Sequence, residues 1–291
     1  MLHVRCAGGN TTLKNKFTTL LGTLIFFPAA LIASICPNPI IVGWNSYKPY
    51  QYKYDANMPQ GLDLEKATNI LNQMASKPDA NMPQGLDIEI TTKVLKQMGC
   101  TANFKELPWE GLMQGVATGE IDLVPSASKA TTREQIAFFS EPYRRETIKL
   151  YVLVDADIEP ADSLYQLDEN NFKFGVQNGY YYGPEFEKIR AGKTNITKRL
   201  ISVEDVATNI SNLQTKKIDG FLSDEVVAKY YLEQQDLNKN IIAYPMYIAS
   251  EDIYFMISKK SQAEEFTTKF NDALTKIKKT REYRQLLNKY L

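Results

Sequence analysis

Thr118-Gly-Glu-Ile-Asp-Leu-Val-Pro-Ser126 and Thr215-Lys-Lys-Ile-Asp-Gly-Phe-Leu-Ser223 decide the fold. Each reads as the end of a helix, a turn, an Ile-Asp pair, a short buried strand and a polar terminus, with the serine four residues after the aspartate. A helix delivering the chain to a buried strand is one step of an α/β architecture, where crossover helices connect parallel strands. Ligands of open α/β sheets bind beyond the carboxyl ends of the strands. Two such sheets facing each other would build a cleft from Ser126 and its neighbours on one side and Ser223 and Asp224 on the other. The alternative is a pair of unrelated surface turns.

Outward from these segments the pattern continues. Ile40–Trp44, Thr101–Glu106, Ile121–Val124, Lys149–Val154, Phe172–Val176, Gly220–Leu222 and Ile253–Ile257 read as strands. Asp87–Met98, Trp109–Thr118, Glu204–Lys216, Glu225–Gln234 and most of Gln262–Tyr290 read as helices.

The composition removes several function classes. With 34 basic against 34 acidic residues in 291 and no long basic run, the clustered Lys/Arg that nucleic-acid phosphates demand is missing. The one histidine, His3, lies at the extreme N-terminus, and the cysteines are Cys6, Cys36 and Cys100. Ser-His-Asp or Cys-His catalysis and His- or Cys-rich zinc sites therefore lack their residue types, whereas carboxylate acid/base chemistry or an oxygen-only metal site remains open.

Lys14 and Lys16 precede the apolar run Phe17–Ala33, which reads as a secretory signal spanning 1–36, cleaved at about 30–36. A membrane span is the alternative, interrupted by Gly22 and Pro28 and at the short limit for a bilayer. Cys36 invites lipid anchoring, but Ile35 stands where a small residue is expected. In an oxidising compartment a Cys36–Cys100 disulfide becomes possible.

Asp55-Ala-Asn-Met-Pro-Gln-Gly-Leu-Asp63 recurs unchanged at Asp79–Asp87, and fourteen of the 20 positions from Asp55 to Met74 match at an offset of 24. This is a tandem duplication, 55–74 and 79–98. Because Met98-Gly99-Cys100 feeds directly into the next strand, the second copy's helix is expected in the native layer and the first copy is read as the insertion. Its helix, Asp63–Met74, carries an apolar stripe. It is expected to pack on the surface or form an interface, a neutral loop duplication being the alternative.

Seven motifs in order resemble those of the bacterial periplasmic solute-binding proteins of family 3, the receptors of polar amino-acid ABC importers. They are Val42-Gly-Trp-Asn-Ser-Tyr-Lys-Pro-Tyr50, Gly85-Leu-Asp-Ile-Glu89, Trp109-Glu-Gly-Leu112, Gly119-Glu-Ile-Asp122, Thr132-Arg-Glu134 with Phe139-Ser-Glu-Pro-Tyr143, Gly175-Val-Gln-Asn-Gly179 and Ile218–Asp224. The resemblance implies a periplasmic-binding-protein-like clamshell of two α/β lobes joined by two hinge strands. Lobe 1 would be residues 37–143 plus 251–291, and lobe 2 residues 149–247. It further implies a monomeric periplasmic receptor, not an enzyme, that holds a small polar amino acid and delivers it to an ABC permease, without metal or cofactor.

The same resemblance distributes the roles. Arg133 offers a planar donor fork to the ligand's carboxylate, and Asp224 offers an anion to its α-ammonium. Ser126 and Ser128 surround the two charges, and Tyr47, Tyr50 and Trp109 wall the first-lobe side. Gln177, Asn178 and Gly179 close from the second lobe. The bland readings are a surface charge for Arg133, a helix cap for Asp224 and plain core for Trp109. The chain departs from the family at Trp44-Asn45, at Ala130 and at Tyr180-Tyr-Tyr182, whose rings would narrow the pocket or supply hydroxyls. Two competitors use the same scaffold. A cyclohexadienyl-type dehydratase would need an acidic carboxyl in the cleft, for which Glu110, Glu141 and Glu185 are candidates. A sensory amino-acid-binding module would need none.

Overall fold

The computed structural model describes Cys36 and residues 39–53, 82–169, 171–192 and 195–291. The expected signal segment and the first duplicated copy lie outside the described residues. One ten-stranded sheet organises the fold. Its strands are β1 (Ile40–Trp44), β4 (Ala102–Glu106), β5 (Leu123–Ser128), β6 (Ala137–Phe139), β7 (Arg144–Leu153), β8 (Phe174–Gln177), β9 (Leu200–Val203), β10 (Gly220–Asp224), β11 (Ile241–Ala243) and β12 (Ala249–Ser258). The small pair β2 (Tyr52–Lys53) and β3 (Pro83–Gln84) stands apart.

The hydrogen-bonded path β4-β1-β5-β12-β7-β10-β8-β9 reads alike from either end. From one edge, β4 and β1 pair in parallel, β1 pairs in parallel with β5, and β5 pairs antiparallel with β12. From the other, β9, β8 and β10 pair in parallel and β10 pairs antiparallel with β7. The long strands β7 and β12 pair antiparallel in the middle, Arg144 opposite Ile253 and Ile148 opposite Ala249. They are the two crossings that join the halves.

The Ile-Asp repeat does equivalent work in each half. Asp122 accepts the backbone N–H of Ile41 in β1 at 2.8 Å, and Asp219 accepts that of Lys173, just before β8, at 2.8 Å. Each carboxylate thus fastens the neighbouring parallel strand at its start. A charged acceptor on a backbone donor is among the stronger hydrogen bonds.

Local chemistry explains the helices that carry the site. The second duplicated copy forms the helix Leu86–Gln97, burying Leu86, Ile88, Ile90, Val94 and Leu95, and so occupies the layer expected of it. Gly85 precedes it at φ +113°, where a Cβ would lie 2.3 Å from the Tyr50 carbonyl oxygen, so only glycine lets the two segments meet. The segment Gln262–Tyr290, expected to be largely helical, forms two helices, Glu264–Lys278 and Arg281–Tyr290. Thr280 restarts the chain as an N-cap, its Oγ1 accepting the Tyr283 N–H at 3.1 Å. The last helix returns to the first half, where Lys289 pairs with Glu89 at 2.8 Å.

Cys36 and Cys100 form a disulfide with Cα atoms 5.5 Å apart, closing 64 residues of sequence. The Cys36 sulfur that a lipid thioether would need is engaged in that bond. A loop of this length is stabilised by about 4 kcal/mol through loss of unfolded-state entropy. Reduction, or Cys100→Ser, is therefore expected to lower the unfolding free energy by that order, measured by urea unfolding with and without reductant.

Candidate functional site

A cavity lies at the strand ends, lined by Asn45, Tyr47, Gln51, Trp109, Ser126, Ser128, Arg133, Glu146, Gln177, Asn178, Gly179, Tyr180, Tyr181 and Glu204. Of the residues expected there, Tyr47, Trp109, Ser126, Ser128, Arg133, Gln177, Gly179 and Tyr180 line it. Tyr50 and Asp224 do not. They are buried behind it and bonded to each other, Tyr50 Oη donating to Asp224 Oδ1 at 3.0 Å.

Arg133 follows β5 in a one-turn helix, Thr131–Glu134. Its Nη1 donates to the Ser128 carbonyl at 2.9 Å and its Nη2 to the Gly179 carbonyl at 3.2 Å, with the guanidinium 4.7 Å from the centre of the Trp109 ring. Burial lowers its pKa to about 10, which leaves it charged at neutral pH. Gly179, at φ +68°, brings the second half's loop against the same ring: a Cβ there would sit 2.3 Å from Trp109 Cδ1. Tyr47 and Tyr180 meet across the cavity through their hydroxyls.

Asp224 takes the capping role as well as the buried position. Its Oδ1 accepts the N–H groups of Val226 at 3.0 Å and Val227 at 3.1 Å, starting the helix Glu225–Gln234. Its Oδ2 accepts the Thr147 N–H at 3.2 Å.

The sequence reading overlooked Gln51, Glu204 and, above all, Glu146. None of Glu110, Glu141 and Glu185 lines the cavity; its carboxylates are Glu146 and Glu204. Glu146 belongs to a buried network centred on Arg144. That guanidinium grips Asp87 through two bonds, of 2.9 and 3.1 Å, and donates to Glu146 Oε1 at 2.7 Å and to Ser126 Oγ at 2.6 Å. It also lies 3.6 Å from the centre of the Tyr50 ring. Against the pull of burial, Asp87 and Glu146 hold its pKa well above the ordinary range. Ser126, which joins this network to the cavity, has φ +63°, a strained backbone for a non-glycine residue of the kind that gathers at binding sites. The available signal was strand periodicity: residues 144 and 146 project from the same face of β7.

Burial raises the Glu146 pKa to about 7; Arg144 opposes the shift and Asp224 adds to it. Asp224 is raised as well, chiefly by burial. Tyr180 Oη donates to the second Glu146 oxygen at 2.6 Å.

An acid whose folded pKa exceeds its unfolded one binds an extra proton in the folded state. Its stabilisation is complete below about 4.5 and is lost as pH rises toward about 7. Denaturant unfolding at pH 5 and pH 8 is therefore expected to show a loss from this group of up to about 3 kcal/mol. Glu146→Gln should flatten that slope.

The model of the bacterial extracellular solute-binding proteins, family 3, matches residues 76–291. A probable histidine-binding protein of Neisseria gonorrhoeae is 25% identical over 189 residues, covering 64% of this chain and 67% of its own. One of Campylobacter jejuni subsp. jejuni serotype O:2 is 23% identical over 247 residues, covering 84% and 81%. Among solved structures, a histidine kinase sensor domain with similarity to periplasmic binding proteins aligns at TM-score 0.68. It shares 18% identity and covers 88% of this chain and 97% of its own. The match over most of the chain, on a sheet that joins two α/β lobes by two crossing strands, settles the family: the chain belongs to the bacterial extracellular solute-binding proteins of family 3.

Proposed function

We propose that the protein captures a free amino acid between its lobes in the periplasm and delivers it, as a monomer, to an ABC permease of the inner membrane. The observation that carries this reading is Arg133, the single cation among the described residues lining the cavity. It is stacked on Trp109 and tied to carbonyls of both halves. A planar fork in an aromatic-walled recess is the group that recognises a carboxylate bidentately. The relatives named as histidine-binding proteins support an amino acid as the ligand class.

In this reading lobe 1 is residues 37–143 plus 251–291 and lobe 2 is residues 149–247, with β7 and β12 as the hinge. Tyr47, Trp109, Ser126, Ser128 and Arg133 hold the ligand from lobe 1. Gln177, Gly179 and Tyr180 close from lobe 2. Contacts made to both lobes at once favour the closed arrangement, which is how a ligand shifts such an equilibrium. The segment before Cys36 acts as the export signal, and the Cys36–Cys100 bridge suits the oxidising compartment it leads to.

Glu146 favours a second reading. A cavity carboxyl that holds its proton near neutral pH is what an acid-catalysed dehydratase requires. Product formation from prephenate or arogenate would establish it, whereas binding without turnover supports the receptor. That the family is one of solute-binding proteins puts the receptor first.

Arg133→Ala is expected to weaken amino-acid binding roughly 100-fold or more, the worth of two charge-assisted bonds, while circular dichroism remains that of the wild type. Calorimetric titration reads the result directly, and an unchanged dissociation constant refutes the assignment.

A further inference from the structure

The family pattern gives the ligand's ammonium to Asp224, but the geometry of this chain points elsewhere. Asp224 is absent from the cavity wall and accepts four hydrogen bonds, from Tyr50, Val226, Val227 and Thr147. Glu146 does line the wall, and it is buried to 2% exposure. Of the four acceptor positions of its carboxylate, Tyr180 and Arg144 use one each.

The charge arithmetic agrees. Asp87, Glu146 and Asp224 are three buried acids around one buried base, Arg144. Arg144 commits two of its bonds to Asp87 and one to Glu146, so the three acids, when ionised, exceed the cation by two negative charges. Buried charges are tolerated when paired. One ammonium entering the cavity beside Glu146 would offset one of the two, and the ligand's carboxylate would pair with Arg133.

We propose that Glu146, and not Asp224, receives the α-ammonium of the bound amino acid. Asp224 is then a positioning residue that fixes Tyr50, the start of the helix Glu225–Gln234 and Thr147 of β7. This assignment rests on the amino-acid reading above. Burial is the chief cause of the rise of the Glu146 pKa toward neutrality; Asp224 adds to it, and the Arg144 guanidinium at 2.7 Å opposes it without cancelling it. The charged and titratable groups facing it are Arg144 on its own strand, Asp224 from β10, Tyr47 and Tyr50 from the first half, and Tyr180 and Tyr182 from the second.

The test begins with a thermal-shift screen of the wild-type protein against the twenty L-amino acids. The tightest binder and its N-acetyl derivative are then titrated calorimetrically into the wild type, Glu146→Gln and Asp224→Asn. Glu146→Gln is expected to lose about 30-fold or more for the free amino acid. Its preference for the free over the N-acetylated ligand should fall at least about tenfold, a change that a merely structural role would not produce. Asp224→Asn is expected to keep that preference and to melt at a lower temperature. A second measurement needs no variant: in buffers of different ionisation enthalpy at pH 6, ligand binding to the wild type should release a fraction of a proton as Glu146 ionises.

Retained preference in Glu146→Gln together with its loss in Asp224→Asn would return the ammonium to Asp224 and overturn the proposal, as would binding without proton release. If the wild type binds none of the twenty amino acids, the receptor reading itself fails and this assignment falls with it.

Discussion

The buried Arg144 guanidinium is the point on which the rest of the structure turns. It sits at the first residue of β7, where the chain leaves one half of the molecule for the other. It holds Asp87 at the start of the helix Leu86–Gln97, Ser126 at the strained position within β5 and Glu146 at the cavity wall. Its removal would leave carboxylates buried without a partner, a loss usually larger than the net worth of the pair. Fold and site therefore share one electrostatic anchor, and the orientation of the cavity's acid is set by the residue that starts the crossing strand.

Much of the architecture is legible in the sequence because two segments, one in each half, carry their own constraints. The Ile-Asp pairs announce the buried strands β5 and β10, and the structure gives both aspartates the same task, fastening a neighbouring strand. The parallel strands β1, β8 and β10 read correctly from short apolar runs. β7 starts at Arg144, five residues before the expected Lys149, because its first residues Arg-Arg-Glu-Thr look like loop. Only the buried network makes charged side chains suitable for a sheet interior. β9, Leu200-Ile-Ser-Val203, is too short to stand out before a helix, and the break at Thr280 hides within a continuous helical pattern.

The site was legible to a similar depth. Residue types at the ends of β5 and β8 point to the cavity, and Arg133, Trp109 and Gly179 gather there. Asp224 shows where that logic stops. A carboxylate after a strand and before a helix suits either a cap or a ligand, and the choice depends on what else surrounds it. Here Tyr50 and the Thr147 N–H fill that space. Tyr180-Tyr-Tyr182 divides its labour in a way that composition cannot foretell. Tyr180 and Tyr181 face the cavity, whereas Tyr182 is core, its hydroxyl accepting the Gln177 N–H at 2.7 Å.

The meeting of Gly179 with the Trp109 ring has a mechanical meaning. The two faces approach so closely at that point that a single methyl group would act as a wedge, holding the jaws ajar however well a solute fitted between them. The width of one hydrogen atom thus separates a receptor able to shut from one propped open.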